Sequence, residues 1–235
     1  WQTAVFQIPT GPKSNSLHVR GVHSYLDLFS SRQLLFLHAA MQALPNNNPL
    51  IRLNLALLLS TALEFNSLLC GYKGVGKRRS GAIKHTFVRH AYSFPYTALE
   101  NNPVYPLRSS GGLQNLFQSR IMRGRSWAAA PIERRVVNGK AEKVTIDAEK
   151  DAGVETAVFH DLTKPHDTPR FLLLHGSSSQ LALPDHSVDF IVTDPPYFDS
   201  VQYSDLSHFF RVWLRQFVPE AANWEVTLAE TAVNQ

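Results

Sequence analysis

Apolar residues Leu34, Leu35, Leu37 and Leu44 recur at roughly helical spacing after Ser30 and Ser31, whose hydroxyls suit an N-terminal cap, so the spacing predicts a helix over 32–44. The segment Pro45-Asn46-Asn47-Asn48-Pro49 reads as a turn. The run 50–69, apolar on most faces, predicts a second, buried helix beside the first. Four glycines among Lys and Arg predict a loop over 71–81, and prolines at 95, 103 and 106 exclude a long helix from 87–106. Leu113, Leu116, Phe117 and Ile121 predict a short amphipathic helix within 111–130, with Arg120, Arg123 and Arg125 near its end, where cations complement the helix dipole. Asn138-Gly139 between β-prone runs predicts a hairpin over 132–146. Residues 147–169 follow no clear period and read as an insertion or linker. Beyond them, 171–174 and 188–193 are apolar runs dense enough for sheet strands covered on both faces, separated by turn residues from Gly176 to Asp185. Leu206, Phe209, Phe210, Trp213, Leu214 and Phe217 predict a closing helix over 203–217.

Composition narrows the setting. The chain has 235 residues, 44% of them apolar, enough to bury a sizeable core. No charge-free apolar run of about 18 residues occurs, because 50–70 is broken by Arg52, Asn54, Glu64 and Asn66, so no membrane partner is expected. Residues 1–16 carry no secretory pattern. A single cysteine, Cys70, rules out an internal disulfide and a cysteine-based zinc site, and the expected location is the cytoplasm. The net charge is +4, yet 65–99 holds six Lys/Arg and no acid. Lys73, Lys77, Arg78, Arg79, Lys84 and Arg89 therefore form a local positive excess of the kind that contacts nucleic-acid phosphates, with a solvated basic loop as the plainer reading.

The candidate chemistry lies after the second apolar run. There Asp194-Pro195-Pro196-Tyr197 would stand at the carboxyl end of a strand, where open α/β sheets bind ligands. Two prolines hold their flanking carbonyls rigidly and offer no N–H, so those oxygens are free to accept from a substrate amino group. The Asp194 carboxylate is a second acceptor, and Tyr197 offers a ring on which an extruded base can stack. Two acceptors on an exocyclic amino group return electron density to its nitrogen, and orientation supplies most of the acceleration of a direct methyl displacement.

The run Thr193-Asp194-Pro195-Pro196-Tyr197-Phe198 resembles the catalytic motif of amino-methyltransferases acting on adenine N6. Its surroundings, 185–190 and 198–206, are similar to a family of large adenine-specific DNA methylases, as are 27–35 and 85–91. The resemblance spans roughly 24–235. It implies an α/β fold, an incomplete Rossmann-like methyltransferase sheet with an N-terminal helical region and a peripheral β-hairpin insertion. It implies S-adenosylmethionine as cofactor, DNA as partner, Asp194, Pro195, Pro196 and Tyr197 as catalytic residues, and Phe198 beside the nucleic acid. Leu174-His175-Gly176-Ser177-Ser178 falls where the family's chain passes the adenosine of the cofactor, making Gly176 and Ser177 candidate cofactor contacts, against a plain strand-ending turn.

The family's glycine-rich cofactor loop has no counterpart in these residues, which predicts a fragment trimmed at both ends. Three segments are expected: 1–110, helical region and basic loop; 111–168, an insertion with helix and hairpin and a candidate target-recognition element; and 169–235, the catalytic strand, turn and helix. The spacing Gly71-Tyr72-Lys73-Gly74-Val75-Gly76-Lys77 imitates a phosphate-binding loop, but Arg78 replaces the required Ser or Thr and a helix precedes it in place of a strand. His85 and His90 read as ligands or bases, or as local packing with Phe87, Tyr92, Phe94 and Tyr96. Alternative acceptors are cytosine N4, an RNA base or a protein amide. A non-catalytic nucleic-acid-binding module is the alternative outside enzymes.

Overall fold

The computed structural model describes residues 6–74, 82–96, 99–105, 109–146, 153–194 and 203–218. The chain is mixed α/β and divides into two compact units, 1–125 with 196–235, and 126–195.

The first unit is built on three helices. Ser30 accepts from the Gln33 N–H while the Gln33 side chain accepts from the Ser30 N–H, a reciprocal cap that starts α2 (Ser31–Gln42). Asn48 caps α3 (Pro49–Asn66) through Ile51 N at 3.0 Å, with Pro49 in the first turn, where its missing N–H costs nothing. As expected from its apolar run, α3 is buried on several faces: Leu63 enters the main core, Ala56 and Leu59 meet Leu44, and Leu58 and Ala62 meet Leu116. The helix Tyr203–Leu214 closes the core with Phe209, Val212 and Trp213 at helical spacing. Phe209 is wholly enclosed, its ring 5.2 Å from Phe87, 5.8 Å from Tyr25 and 6.1 Å from Phe29. Burying such a ring contributes about 2–3 kcal/mol.

Short elements precede and connect these helices. They are α1 (Asn15–His18) and a 3-10 turn, Tyr25–Leu28, closed by a Ser24–Asp27 capping box. The expected loop after α3 is bracketed by two strands, β1 (Gly71–Tyr72) and β2 (Ile83–Lys84), paired antiparallel with Gly71 opposite Lys84. Residues 87–96 and 99–105 form no helix or strand, as the prolines require. The expected helix within 111–130 is present as α4 (Leu113–Leu116), a π-helical stretch (Phe117–Met122) and α5 (Arg123–Ala129).

The second unit contains the predicted hairpin, β3 (Ile132–Val137) against β4 (Lys140–Thr145). Asn138 and Gly139 have φ of 50° and 74°, the two positive values a type I′ turn demands. The stretch without sequence period holds β5 (Val154–Glu155) and α6 (Phe159–Leu162), and β5 pairs in parallel with β6 (Arg170–Phe171). Tyr203–Leu214, in the first unit, becomes α7 in chain order.

The sequence expectation and the structure part at the central sheet. Of the run expected at 171–174 only Phe171 is strand, as the second residue of β6, and 188–193 forms none. Phe190, Ile191 and Val192 are 88%, 84% and 95% exposed. A central parallel strand needs hydrogen-bonded neighbours on both edges and helices on both faces. Among the described residues the sheets are three separate two-stranded pairs, and none receives 188–193. Apolar density predicted a buried strand there, but among the described residues no partner strand meets it.

Candidate functional site

Asp194 ends the irregular segment 188–194 of the second unit with its side chain exposed. Among the described residues no hydrogen bond reaches its carboxylate. Pro195, Pro196, Tyr197 and Phe198 lie outside the described residues. The other motif-linked candidates, Gly176 and Ser177, are in an exposed turn of the same unit. Ser177 Oγ is 2.8 Å from Ser179 Oγ and accepts from Ser179 N, while its carbonyl accepts from Gln180 N. A Cβ built on Gly176 meets nothing within 4 Å. This is the geometry of a serine-stabilised turn, and it forms no cradle for S-adenosylmethionine among the described residues.

The basic segment is better defined at its base. Lys73 N donates to Ala82 O at 2.9 Å, extending the β1–β2 ladder by one bond. Lys73 and Arg89 are exposed and Lys84 is half-buried. Lys77, Arg78 and Arg79 lie outside the described residues, within the segment those strands bracket. Directly after β2, His85 Nδ1 is 2.6 Å from Glu64 Oε1, and its ring meets Phe65 edge-on at 5.9 Å. His85 is thus held by Glu64 and Phe65, partners other than the aromatics read beside it from the sequence. His90 takes a positive φ of 51° in the following turn.

The helix that follows the motif is anchored at its first turn. Asp205 Oδ2 accepts the Lys13 N–H at 3.0 Å, and the Asp205 carbonyl accepts from Tyr92 Oη at 3.2 Å. Gly11 leaves room for this contact, because a Cβ on it would lie 2.4 Å from Asp205 Oδ2 and push the carboxylate off the Lys13 N–H. One turn on, His208 Nδ1 is 3.2 Å from Tyr25 Oη. Burial pushes the Tyr25 hydroxyl up to about 12, with Tyr92 acting in the opposite direction and Asp205 in the same one. Tyr92 is driven up further, again by burial first.

Sequence reasoning missed a second cluster in the first unit. Arg32 Nε and Nη2 donate to Glu100 Oε1 and Oε2 at 3.1 and 2.5 Å, and Ser30 Oγ donates to Glu100 Oε1 at 2.6 Å. Arg32 holds the Glu100 carboxyl below the usual range by hydrogen bonding, and Ser30 adds to it. Arg32 and Glu100 line a cleft of about 370 Å³ with Gln33, Phe36 and Pro103. The capping pattern Ser30-x-x-Gln33 was readable, but nothing local to it points to a residue 70 positions away.

Comparison of the chain with protein-family models, with curated proteins and with solved structures finds no match.

Proposed function

We propose that the chain is the amino-group-holding part of an S-adenosylmethionine-dependent methyltransferase acting on a DNA base, with adenine N6 as the acceptor. The observation that carries this reading is Thr193-Asp194-Pro195-Pro196-Tyr197-Phe198, with Asp194 exposed and unpartnered among the described residues and an anchored helix starting at Tyr203. The Asp194 carboxylate and the Pro195 carbonyl accept the two hydrogens of the amino group, and Tyr197 stacks on the ring. Holding both hydrogens orients the nitrogen lone pair and offsets its delocalisation into the ring. The cofactor supplies a methyl group on a sulfonium sulfur. After transfer, Asp194 stands next to the nitrogen that must lose a proton.

Incubating the chain with genomic DNA and tritiated methyl donor tests this. Label should appear as N6-methyladenine and vanish with Asp194→Ala. Absence of label, or equal label with the variant, overturns it.

The β1–β2 pair favours a second reading, nucleic-acid binding without catalysis. The two strands clamp the ends of the most basic stretch of the chain, which suits a loop laid against phosphates. Retained DNA binding with no methyl transfer separates the two.

A further inference from the structure

Two histidines meet at the turn that follows α1. His18 Nδ1 and His23 Nδ1 are 3.1 Å apart, and the ring centroids are 5.3 Å apart. The backbone between them fixes this meeting. Gly21 N donates to His18 O at 2.9 Å and Val22 N to Leu17 O at 3.1 Å, the paired bonds of a Schellman turn, with Gly21 at a φ of 76°. Leu17 is wholly enclosed and Val22 packs on the same core, so the turn is pinned from within. His23 is held beyond the turn as well: its N–H donates to Asp27 Oδ2 at 3.3 Å, and its carbonyl accepts from Ile8 N at 2.9 Å. Of the two residues carried on this frame, His18 is half-buried and His23 exposed.

Hydrogen bonding also assigns the proton of one ring. Pro9 O can only accept, so His18 Nε2, 3.4 Å away, carries the proton and leaves a lone pair on Nδ1. A backbone carbonyl on the far nitrogen is the arrangement that orients the histidine ligands of metals. In the neutral pair, His23 Nδ1 donates its one proton to that lone pair. A metal ion takes the place of this proton once His23 carries it on Nε2, the other tautomer of an exposed ring. Zinc lies about 2.0–2.1 Å from an imidazole nitrogen, so an ion equidistant from nitrogens 3.1 Å apart sees them at roughly 100°, between the octahedral and tetrahedral angles. The rings face nitrogen to nitrogen, and a turn about the soft χ2 torsion points both lone pairs at the ion. Imidazole suits copper, nickel and zinc, whereas magnesium and calcium take oxygen ligands. Among the described residues no third ligating side chain joins the pair, so water completes the shell. We propose that His18 and His23 form a two-histidine chelate for a divalent transition-metal ion, with copper(II) held more tightly than zinc. The site is independent of the methyl-transfer reading.

Titrating the full chain with copper(II), nickel(II), zinc and magnesium tests the chelate. Substoichiometric copper(II) should broaden the ring NMR signals of His18 and His23 before those of the other histidines, and its EPR spectrum should carry two ring nitrogens. Calorimetry should rank copper(II) above nickel(II) and zinc, with no heat from magnesium. His18→Gln and His23→Gln should each weaken copper(II) binding about tenfold or more, and the double variant should lose no more at this site, because both ligands serve one ion. Copper(II) should raise the Tm of the wild-type chain and leave that of the variants unchanged. Earlier broadening of other histidines, a single coordinated nitrogen, or unchanged copper(II) affinity in the two Gln variants would overturn the assignment.

Discussion

The carboxylate of Asp205 accepts the backbone N–H of Lys13 at 3.0 Å, tying the first turn of α7 to a segment 192 residues earlier in the chain. Gly11 makes room for that contact, since a Cβ there would overlap Asp205 Oδ2 at 2.4 Å. Asp205→Ala removes a charged hydrogen bond and should lower the unfolding free energy by about 1–3 kcal/mol. Gly11→Ala should also destabilise the chain, but less so once Asp205 is Ala, because the clashing oxygen is gone. Urea melts of the two single variants and the double variant measure this coupling, expected to exceed about 0.5 kcal/mol. Strictly additive costs would show that the two residues do not meet in solution.

Tyr25 gives the fold an alkaline limit. An unfolded tyrosine ionises near pH ~10, whereas burial holds the folded Tyr25 hydroxyl neutral up to about 12. A group whose folded value is raised keeps its proton more tightly in the folded state. Its stabilisation is therefore complete below about pH 10 and is lost as the pH climbs through the folded value. Tyr92, raised by the same cause, adds to the loss. Unfolding free energies measured between pH 8 and 11.5 should decline steeply above about 10, and less steeply in Tyr25→Phe. An identical slope in the variant would remove Tyr25 from the account.

What was readable in the sequence and what was not divide along a physical line. Ser30 with Gln33, Asn48 before Pro49, and Asn138 with Gly139 are local devices, in which cap or turn chemistry acts within four residues, and all three stand in the structure. The face of α7 was readable for the same reason, as Phe209 and Trp213 follow its period, with Val212 joining them in the structure. Strand 188–193 was not, because a buried apolar run specifies a strand only through neighbours it pairs with, and Phe190 to Val192 find none among the described residues. β5 went unseen for the opposite reason, because a two-residue strand has no period to detect, and its partner β6 takes up only Phe171 of the run expected at 171–174. Of the candidate site, the acidic and basic residue types were legible. The cleft was not, since Arg32 and Glu100 meet only after α2 and the 99–105 segment have packed.

The β3–β4 turn provides a local probe of the second unit. Gly139 sits at φ 74°, in a region where a side chain is strained, and both strands are largely exposed. Gly139→Val should loosen the hairpin without disturbing the core built on α2, α3 and α7. Hydrogen exchange should show faster exchange at the cross-strand amides of Ile132–Val137 and Lys140–Thr145, with protection of α3 unchanged. Loss of α3 protection would mean that the turn supports more than its own strands.

The basic segment makes a quantitative claim about nucleic-acid binding. If residues 73–89 lie along phosphates, each cation that neutralises one releases a counterion, and log K falls with log salt by about 0.9 per contact for a duplex and about 0.7 for a single strand. Lys73 and Arg89 are exposed, and Lys84 is half-buried beside the β1–β2 pairing. Lys73→Ala and Arg89→Ala should therefore each flatten the slope by somewhat under one, and joint neutralisation of Lys77, Arg78 and Arg79 by about two to three. Lys84→Ala should change it least, because its aliphatic stem packs over Gly71 and so restricts where the ammonium can reach. Fluorescence anisotropy of a labelled duplex and of its single strand between about 50 and 200 mM salt gives the slopes directly. A slope that does not move when all three arginine and lysine charges at 77–79 are removed would place the nucleic-acid contact elsewhere on the chain.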